Sequence, residues 1–263
     1  MTALKEIKKV AIVTRDQEQQ YPVQGLDRLF DKMGITLINA KDHPQSIPDI
    51  VIALGGDGTV LRALVAYPTS PVLAVNYGRV GFLTQCDREG FEKVLISLLS
   101  DQYQIEERLA LNIRFRDQQF RCINECVIKG FEHMISLSAH IDGHLAYSTR
   151  GDGLIVGTPT GSTAYLMSTG APLVMPNVNC LIINPLNEYR FGSRAMVAPG
   201  EAVVKVVVQE AYLGDMAMVI DGGAKIPVEI NEEIIIEKSP HPARLIVINE
   251  DYFFKNLRDR LGW

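Results

Sequence analysis

The hydrophobic pattern of this chain changes period once, near residue 106, and that change limits the folds open to it. Before it, short apolar runs alternate with helical stretches. Lys9 to Thr14 is one run. Ile50 to Leu54 is another, and its continuity predicts a strand covered on both faces. Gln24 to Met33 puts Leu26, Leu29, Phe30 and Met33 on one helical face, and Gly34 then stops the helix. Val60 to Tyr67 predicts a second helix ended by Pro68, and Pro71 to Asn76 a further strand. Phe91, Val94, Leu95 and Leu98 follow at helical spacing.

From about Glu106 the period becomes two. Leu111, Ile113 and Phe115 alternate with Asn112, Arg114 and Arg116; Leu137, Ala139 and Ile141 alternate with Ser136, Ser138 and His140. Asp142-Gly143 between two such runs is a two-residue hairpin signal. Val203 to Val208, Met216 to Ile220, Ile226 to Ile230 and Ile234 to Ile236 continue the strands, and Asp251 to Trp263 predicts a helix with Phe254, Leu257 and Leu261 on one side. The fold class expected is α/β plus all-β: a parallel, Rossmann-like domain over 1–105, a β-sandwich-like domain over 106–240, and a segment 241–263 whose helix returns to the first domain.

Composition excludes several functions. A formal charge of −5 argues against nucleic acid, which needs a basic stripe, but leaves room for an anionic small ligand. No run approaches the roughly 20 apolar residues of a membrane span, and Met1 to Lys9 is too polar for a secretory signal. Cys86, Cys122, Cys126 and Cys180 show neither disulfide density nor a Cys-x-x-Cys spacing, so reduced thiols and a cytoplasmic location are expected.

Two segments carry the chemistry. Gly55-Gly56-Asp57-Gly58-Thr59 follows the Ile50–Leu54 strand and precedes a helix. Its glycines are expected to take positive φ and to let a ligand approach the backbone, with N–H groups at the helix start facing an anion. A carboxylate there either accepts a proton, helps to hold a phosphate-bound cation, or caps the helix. The segment is not a P-loop, because Thr59 stands where a Lys is required. Arg62, one turn on, either reaches back to a phosphate or stays on the surface.

The second segment runs from Arg150-Gly151-Asp152-Gly153 through Leu154-Ile155-Val156 into Thr158-Pro159-Thr160-Gly161-Ser162-Thr163-Ala164-Tyr165. Its hydroxyls donate and accept, and Tyr165 offers a flat face to a base. Alone, such a cluster is a loop; between a strand and an apolar stretch it suits a nucleotide. Asn124-Glu125 either grips paired ribose hydroxyls or is an exposed polar pair on a strand. His140 and His144 do not make a metal site, because the hairpin register sends their rings to opposite faces.

With these residues in place, the chain resembles the NAD kinase family, which phosphorylates the adenosine-ribose 2′-hydroxyl of NAD with ATP. The resemblance covers most of the chain: Gly55–Thr59, Asn76 to Thr84, Asn124-Glu125, Gly151–Tyr165, Ser168 to Pro176 and Leu257 to Trp263. The glycine–aspartate motif is shared with lipid kinases and phosphofructokinases; Thr158–Tyr165 is more particular. A diacylglycerol-type lipid kinase and a dinucleotide sensor without chemistry are the rival functions.

The resemblance implies Asp57 as proton acceptor and, with Gly58, as an NAD contact. It implies Asn124 and Glu125 on the ribose hydroxyls, and Arg150 and Asp152 at the nucleotide site, with a neighbouring subunit a second place they could reach. Thr163, Ala164, Tyr165 and Ser168 would line the dinucleotide pocket, and Asn187 and Arg62 would contact NAD. ATP is the implied donor, a divalent cation (Mg2+) comes with it rather than with a protein cage, and a homodimer or homotetramer is the implied assembly. Departures from the family pattern are Ser168-Thr169-Gly170-Ala171-Pro172, Gly223 after Asp221-Gly222 where Gln is common, and Tyr189-Arg190.

Overall fold

Ile50–Leu54 and Val72–Asn76 are buried at every position and lie side by side in parallel, as continuous apolar runs require. They belong to a computed structural model that describes residues 7–14, 26–38, 47–77, 81–189, 192, 194–211 and 216–262. The start of the first expected helix at 24–25, Gly78 to Val80 of the Asn76–Thr84 motif, Arg190 and Trp263 lie outside the described residues. The chain divides into two units, Met1–Glu107 with Ala243–Trp263, and Arg108–Pro242.

The first unit is built on a seven-stranded sheet. Its path is Thr36–Ile38, Lys9–Thr14, Ile50–Leu54, Val72–Asn76, Ala243–Val247, Gln104–Arg108, with Cys86–Asp87 beside Val72–Asn76. The returning chain therefore supplies a central strand as well as a helix. Phe91–Leu99 buries Phe91, Val94, Leu95 and Leu98, the residues its spacing selects. Leu26–Lys32 buries Leu26 and Phe30, whereas Leu29 and Met33 are exposed. The helix is only seven residues long, so its buried stripe is narrow, and Met33 falls beyond its end. Gly34, at φ 70°, closes it: the Ile35 N–H bonds to the Phe30 carbonyl at 2.9 Å and the Gly34 N–H to that of Asp31.

The C-terminal helix, Tyr252–Leu261, buries Tyr252, Phe253, Asn256 and Leu257. Phe254, expected inside, is exposed. A polar Asn takes part in the buried face, for a reason given below.

The second unit contains two six-stranded antiparallel sheets. One runs His144–Gly151, Ile135–Ile141, Val204–Ala211, Glu233–Lys238, Leu111–Phe115, Gln118–Cys122. The other runs Met196–Pro199, Cys180–Leu186, Gly153–Gly157, Glu125–Gly130, Met216–Ile220, Lys225–Pro227. Leu111, Ile113 and Val206 from the first share one core with Ile128, Val156 and Ile183 from the second, which makes a sandwich. The second sheet is covered on its other face too, where Val127, Ile155 and Ile182 meet Leu166 and Ala171. That double burial explains why Leu154-Ile155-Val156 is continuous rather than alternating.

The Asp142-Gly143 turn has φ of 50° and 83°, the signature of a type I′ hairpin, and pairs Ile141 with His144 and His140 with Leu145 as the turn type demands. The strand expected over Ile226–Ile230 is shorter, Lys225–Pro227; beyond it the Val228 N–H still bonds to the carbonyl of Met216, the first residue of the partner strand.

Candidate active site

Asp57 is the first residue of helix Asp57–Ala66, which follows the buried Ile50–Leu54 strand with only Gly55 and Gly56 between. The helix thus begins three residues earlier than its apolar spacing indicates, at the acid, where a negative charge suits the helix dipole. The carboxylate is half-buried and reaches across to a second loop. Its Oδ2 accepts the Phe82 N–H at 2.9 Å and its Oδ1 the Leu83 N–H at 3.1 Å. Gly81 makes this possible, since a Cβ there would collide with the Asp57 carboxylate. Two of the carboxylate's roughly four lone-pair sites are so used, and among the described residues no donor takes the others.

The glycines act differently from expectation. Gly55, Gly56 and Gly58 do not have positive φ, and Gly56 is extended at φ −90° and ψ −174°. Gly55 is required because a Cβ would strike Thr59, while a Cβ on Gly56 or Gly58 would meet nothing within 4 Å. What Gly56 and Gly58 provide is open backbone beside Asp57. Arg62 turns back along its own helix, donating to Thr59 Oγ1 at 3.2 Å and to the Thr14 carbonyl at 3.4 Å.

In the second unit a different acid organises the site. Asp221, at φ 48° in the turn after Met216–Ile220, accepts three consecutive backbone N–H groups: Ile123 at 2.8 Å, Asn124 at 2.7 Å and Glu125 at 3.2 Å. Cys122 Sγ adds a fourth donor, and the Asp221 N–H bonds to the Glu125 carbonyl. Asn124-Glu125 is therefore not an exposed strand pair. Glu125 is 6% exposed, and its Oε2 is buried without a hydrogen-bond partner among the described residues. Burial, then the neighbouring Asp221, push its carboxyl up to about 8, against one bond from the Tyr165 N–H that pulls it down. Burial raises Asp221 as well, opposed by its donors.

The hydroxyl-rich segment wraps this pair. Thr158 Oγ1 donates to the Ile123 carbonyl at 2.6 Å, and a Cβ on Gly161 would collide with the Asn124 carbonyl. Ser162 and Thr163 donate to the carbonyls of Pro159 and Thr160. These hydroxyls, expected to face a ligand, instead fasten a turn of 3₁₀ helix, Thr160–Thr163. The buried Thr160 Oγ1 has no partner among the described residues. Ala164 leads into helix Tyr165–Ser168, where the Tyr165 ring is 40% exposed and Ser168 is exposed.

Asp152 accepts from Asn187 Nδ2 at 2.7 Å, with Asn187 at φ 45°. The exposed Arg150 receives the Tyr189 N–H on its carbonyl. The structure thus groups Asn124, Glu125, Thr163, Ala164 and Tyr165 in one place, and Asp152 with Asn187 in another.

Sequence reasoning did not single out Gly81, Phe82, Leu83 or the anchoring role of Asp221. Asp221-Gly222 carries the turn signal that could have drawn attention to it. Phe82 and Leu83 act through main-chain N–H groups, which side-chain identity does not advertise.

A parallel α/β unit and a two-sheet β unit in one chain, each holding a carboxylate with consecutive backbone N–H groups, define the architectural class. Residues 8–103 match the family model described as ATP-NAD kinase N-terminal domain, and residues 123–248 match the ATP-NAD kinase C-terminal domain. An NAD kinase of Cellvibrio japonicus is 37% identical over 82% of this chain and 75% of its own length. One from Caldicellulosiruptor bescii is 30% identical over 91% and 93%.

Among solved structures, yeast NADH kinase complexed with NADH superposes with a TM-score of 0.85, covering 98% of this chain and 89% of that one; at 20% identity it speaks to the fold alone. An NAD kinase from Archaeoglobus fulgidus in complex with ATP gives 0.76 at 27% identity, covering 97% of each chain. The chain belongs to the ATP-NAD kinase family.

Proposed function

We propose that the chain transfers the γ-phosphoryl group of ATP to the 2′-hydroxyl of the adenosine ribose of NAD, giving NADP. The observation that carries this, beyond family membership, is the Asp57 carboxylate fixed by two main-chain N–H groups beside open glycine backbone. Phosphoryl transfer asks the protein for little covalent chemistry, so positioning and charge stabilisation supply most of the rate. Asp57 accepts the proton of the attacking hydroxyl, an effect of about 10²–10⁴-fold in such reactions.

Asn124 and Glu125 hold the ribose hydroxyls. Glu125, neutral below about pH 8, offers an O–H donor as well as acceptors, and its unpartnered Oε2 is the atom assigned to a sugar hydroxyl. Thr163, Ala164, Tyr165 and Ser168 line the dinucleotide, with the exposed Tyr165 ring against a base. Gly58, Arg62, Arg150, Asp152 and Asn187 make the remaining contacts.

Mg2+ enters as part of the ATP substrate and neutralises the triphosphate; among the described residues no group of three His, Cys, Asp or Glu side chains is placed to hold a metal. We place the enzyme in the cytoplasm as a homodimer or homotetramer. Its free cysteines support the first assignment, and family resemblance supports the second. No described helix is long and apolar enough to cross a membrane.

The test is an incubation with ATP-Mg2+ and NAD, read out by an NADP-specific dehydrogenase, with diacylglycerol as the competing acceptor. NADP formation with no labelled lipid is expected. NAD binding without ADP release would contradict the assignment.

A further inference from the structure

We infer that Asn256, on the C-terminal helix Tyr252–Leu261, is a positioning residue for the reaction of Asp57. The inference rests on the proposed role of Asp57 as proton acceptor. Asn256 is 5% exposed, and its side-chain Nδ2 lies 3.3 Å from the Phe82 carbonyl and 3.4 Å from that of Thr84. An amide nitrogen carries two hydrogens, so it can serve both acceptors. The Phe82 and Leu83 N–H groups, on the same short segment, are the two donors to Asp57.

The geometry joins the two ends through one bond system. The Phe82 carbonyl and the Leu83 N–H belong to a single trans peptide unit and point in opposite directions. Asn256 therefore pulls on the oxygen of the same planar group whose hydrogen holds Asp57 Oδ1. Hydrogen bonds in such a chain polarise and orient each other. Two further contacts fix the segment. Thr84 Oγ1 accepts the Gly81 N–H at 3.3 Å, and the Arg260 guanidinium, from the same C-terminal helix, lies 4.9 Å from the centre of the Phe82 ring.

Tyr252, Phe253 and Leu257, which share the buried side of the helix with Asn256, are apolar in their ring or chain, and Leu would fit that pattern. A polar residue in its place costs desolvation unless its donors are used, and both are used on the segment that holds the acid. The side chain also borders a polar cavity of about 100 Å³ with Asn76, Thr84, Gln85 and Lys255, so water can stand in for a shortened side chain.

Asn256→Leu keeps the branching of the side chain at Cγ, in a somewhat bulkier form, and removes both donors; Asn256→Ser leaves one hydroxyl and room for water. Asn256→Leu is expected to lower kcat by about 10- to 100-fold, the scale of a small misplacement of a catalytic group, with the KM for ATP within about twofold of wild type. Asn256→Ser is expected to fall between the two. In an Asp57→Asn background, adding Asn256→Leu changes kcat by less than about twofold, because the route through Asp57 is already cut.

Faster amide exchange at Phe82 and Leu83 in Asn256→Leu, and in Asn256→Ser if the Leu variant does not fold, provides a readout independent of turnover. An equal loss in both backgrounds, or wild-type kcat in both Asn256 variants, overturns the inference. If Asp57→Asn is crippled while the Asn256 variants are fully active, only the positioning role fails. If Asp57→Asn itself keeps near-normal turnover, the proposed role of Asp57 fails first.

Discussion

Asp57 and Asp221 are held by the same device and put to opposite ends. Each carboxylate sits where consecutive backbone N–H groups converge, an arrangement suited to any anion. At Asp57 two donors come from one loop, the side chain stays half-buried, and the glycines beside it leave the backbone open. At Asp221, equally half-buried, three N–H groups and a thiol converge on the acid, and the bonds fix the segment that carries Asn124 and Glu125. The difference is in the number of donors. An acid with two donors keeps lone pairs for a ligand, whereas one that accepts four becomes scaffold and shifts the titration of its neighbour.

The largest effect should come from Asp57→Asn, which keeps the shape and removes the proton acceptor. Turnover is expected to fall by about 10²–10⁴-fold in the coupled NADP assay. Its amide nitrogen also faces a main-chain donor, so a stability loss of about 1–3 kcal/mol in denaturant melts accompanies it. Asp221→Asn should reverse the emphasis. With one acceptor oxygen for three buried N–H groups, at least one is left unpaired, again about 1–3 kcal/mol, and kcat falls less than in Asp57→Asn. An Asp221→Asn variant as inactive as Asp57→Asn but fully stable would break the distinction.

A subtler effect is pH-dependent. Glu125 titrates at about 8 in the folded chain and near the ordinary carboxylate value when unfolded. The folded state therefore binds the extra proton between these values. Its contribution to stability is complete below the unfolded pKa and is lost as pH rises toward about 8. Asp221, raised in the same sense, adds to the slope. Glu125→Gln removes the Glu125 contribution, so its thermal midpoint should gain on wild type between about pH 5 and pH 8.5. A gain in the opposite direction would contradict burial as the cause. The smallest effect is Arg62→Ala, which loses bonds to Thr59 and Thr14 worth under about 1.5 kcal/mol each and should raise the KM for NAD more than it lowers kcat.

Much of the framework is legible in the sequence, because strands buried on both faces read as unbroken apolar runs and the Asp142-Gly143 turn dictates its register. Helix faces read less well. Leu29, Met33 and Phe254 lie at apolar spacing yet are exposed, since spacing shows which residues share a side but not how far the covering sheet extends. The reactive acid stands out in its glycine setting, but its supports do not. Phe82 and Leu83 contribute N–H groups that any residue except Pro would supply. Asn256 meets its partner carbonyls 174 and 172 positions away in the chain, a pairing that no local pattern contains. The hydroxyls of Thr158, Ser162 and Thr163 read as ligand contacts because their demand from nearby carbonyls appears only once the backbone turns.

The most direct test is the structure of the protein with NAD bound, measuring the distance from the Asp57 carboxylate to the 2′-oxygen of the adenosine ribose. The account predicts hydrogen-bond contact, about 2.6–3.2 Å, with the Phe82 and Leu83 bonds to Asp57 still in place. A ribose seated elsewhere, with no lone pair of Asp57 directed at it, would contradict it.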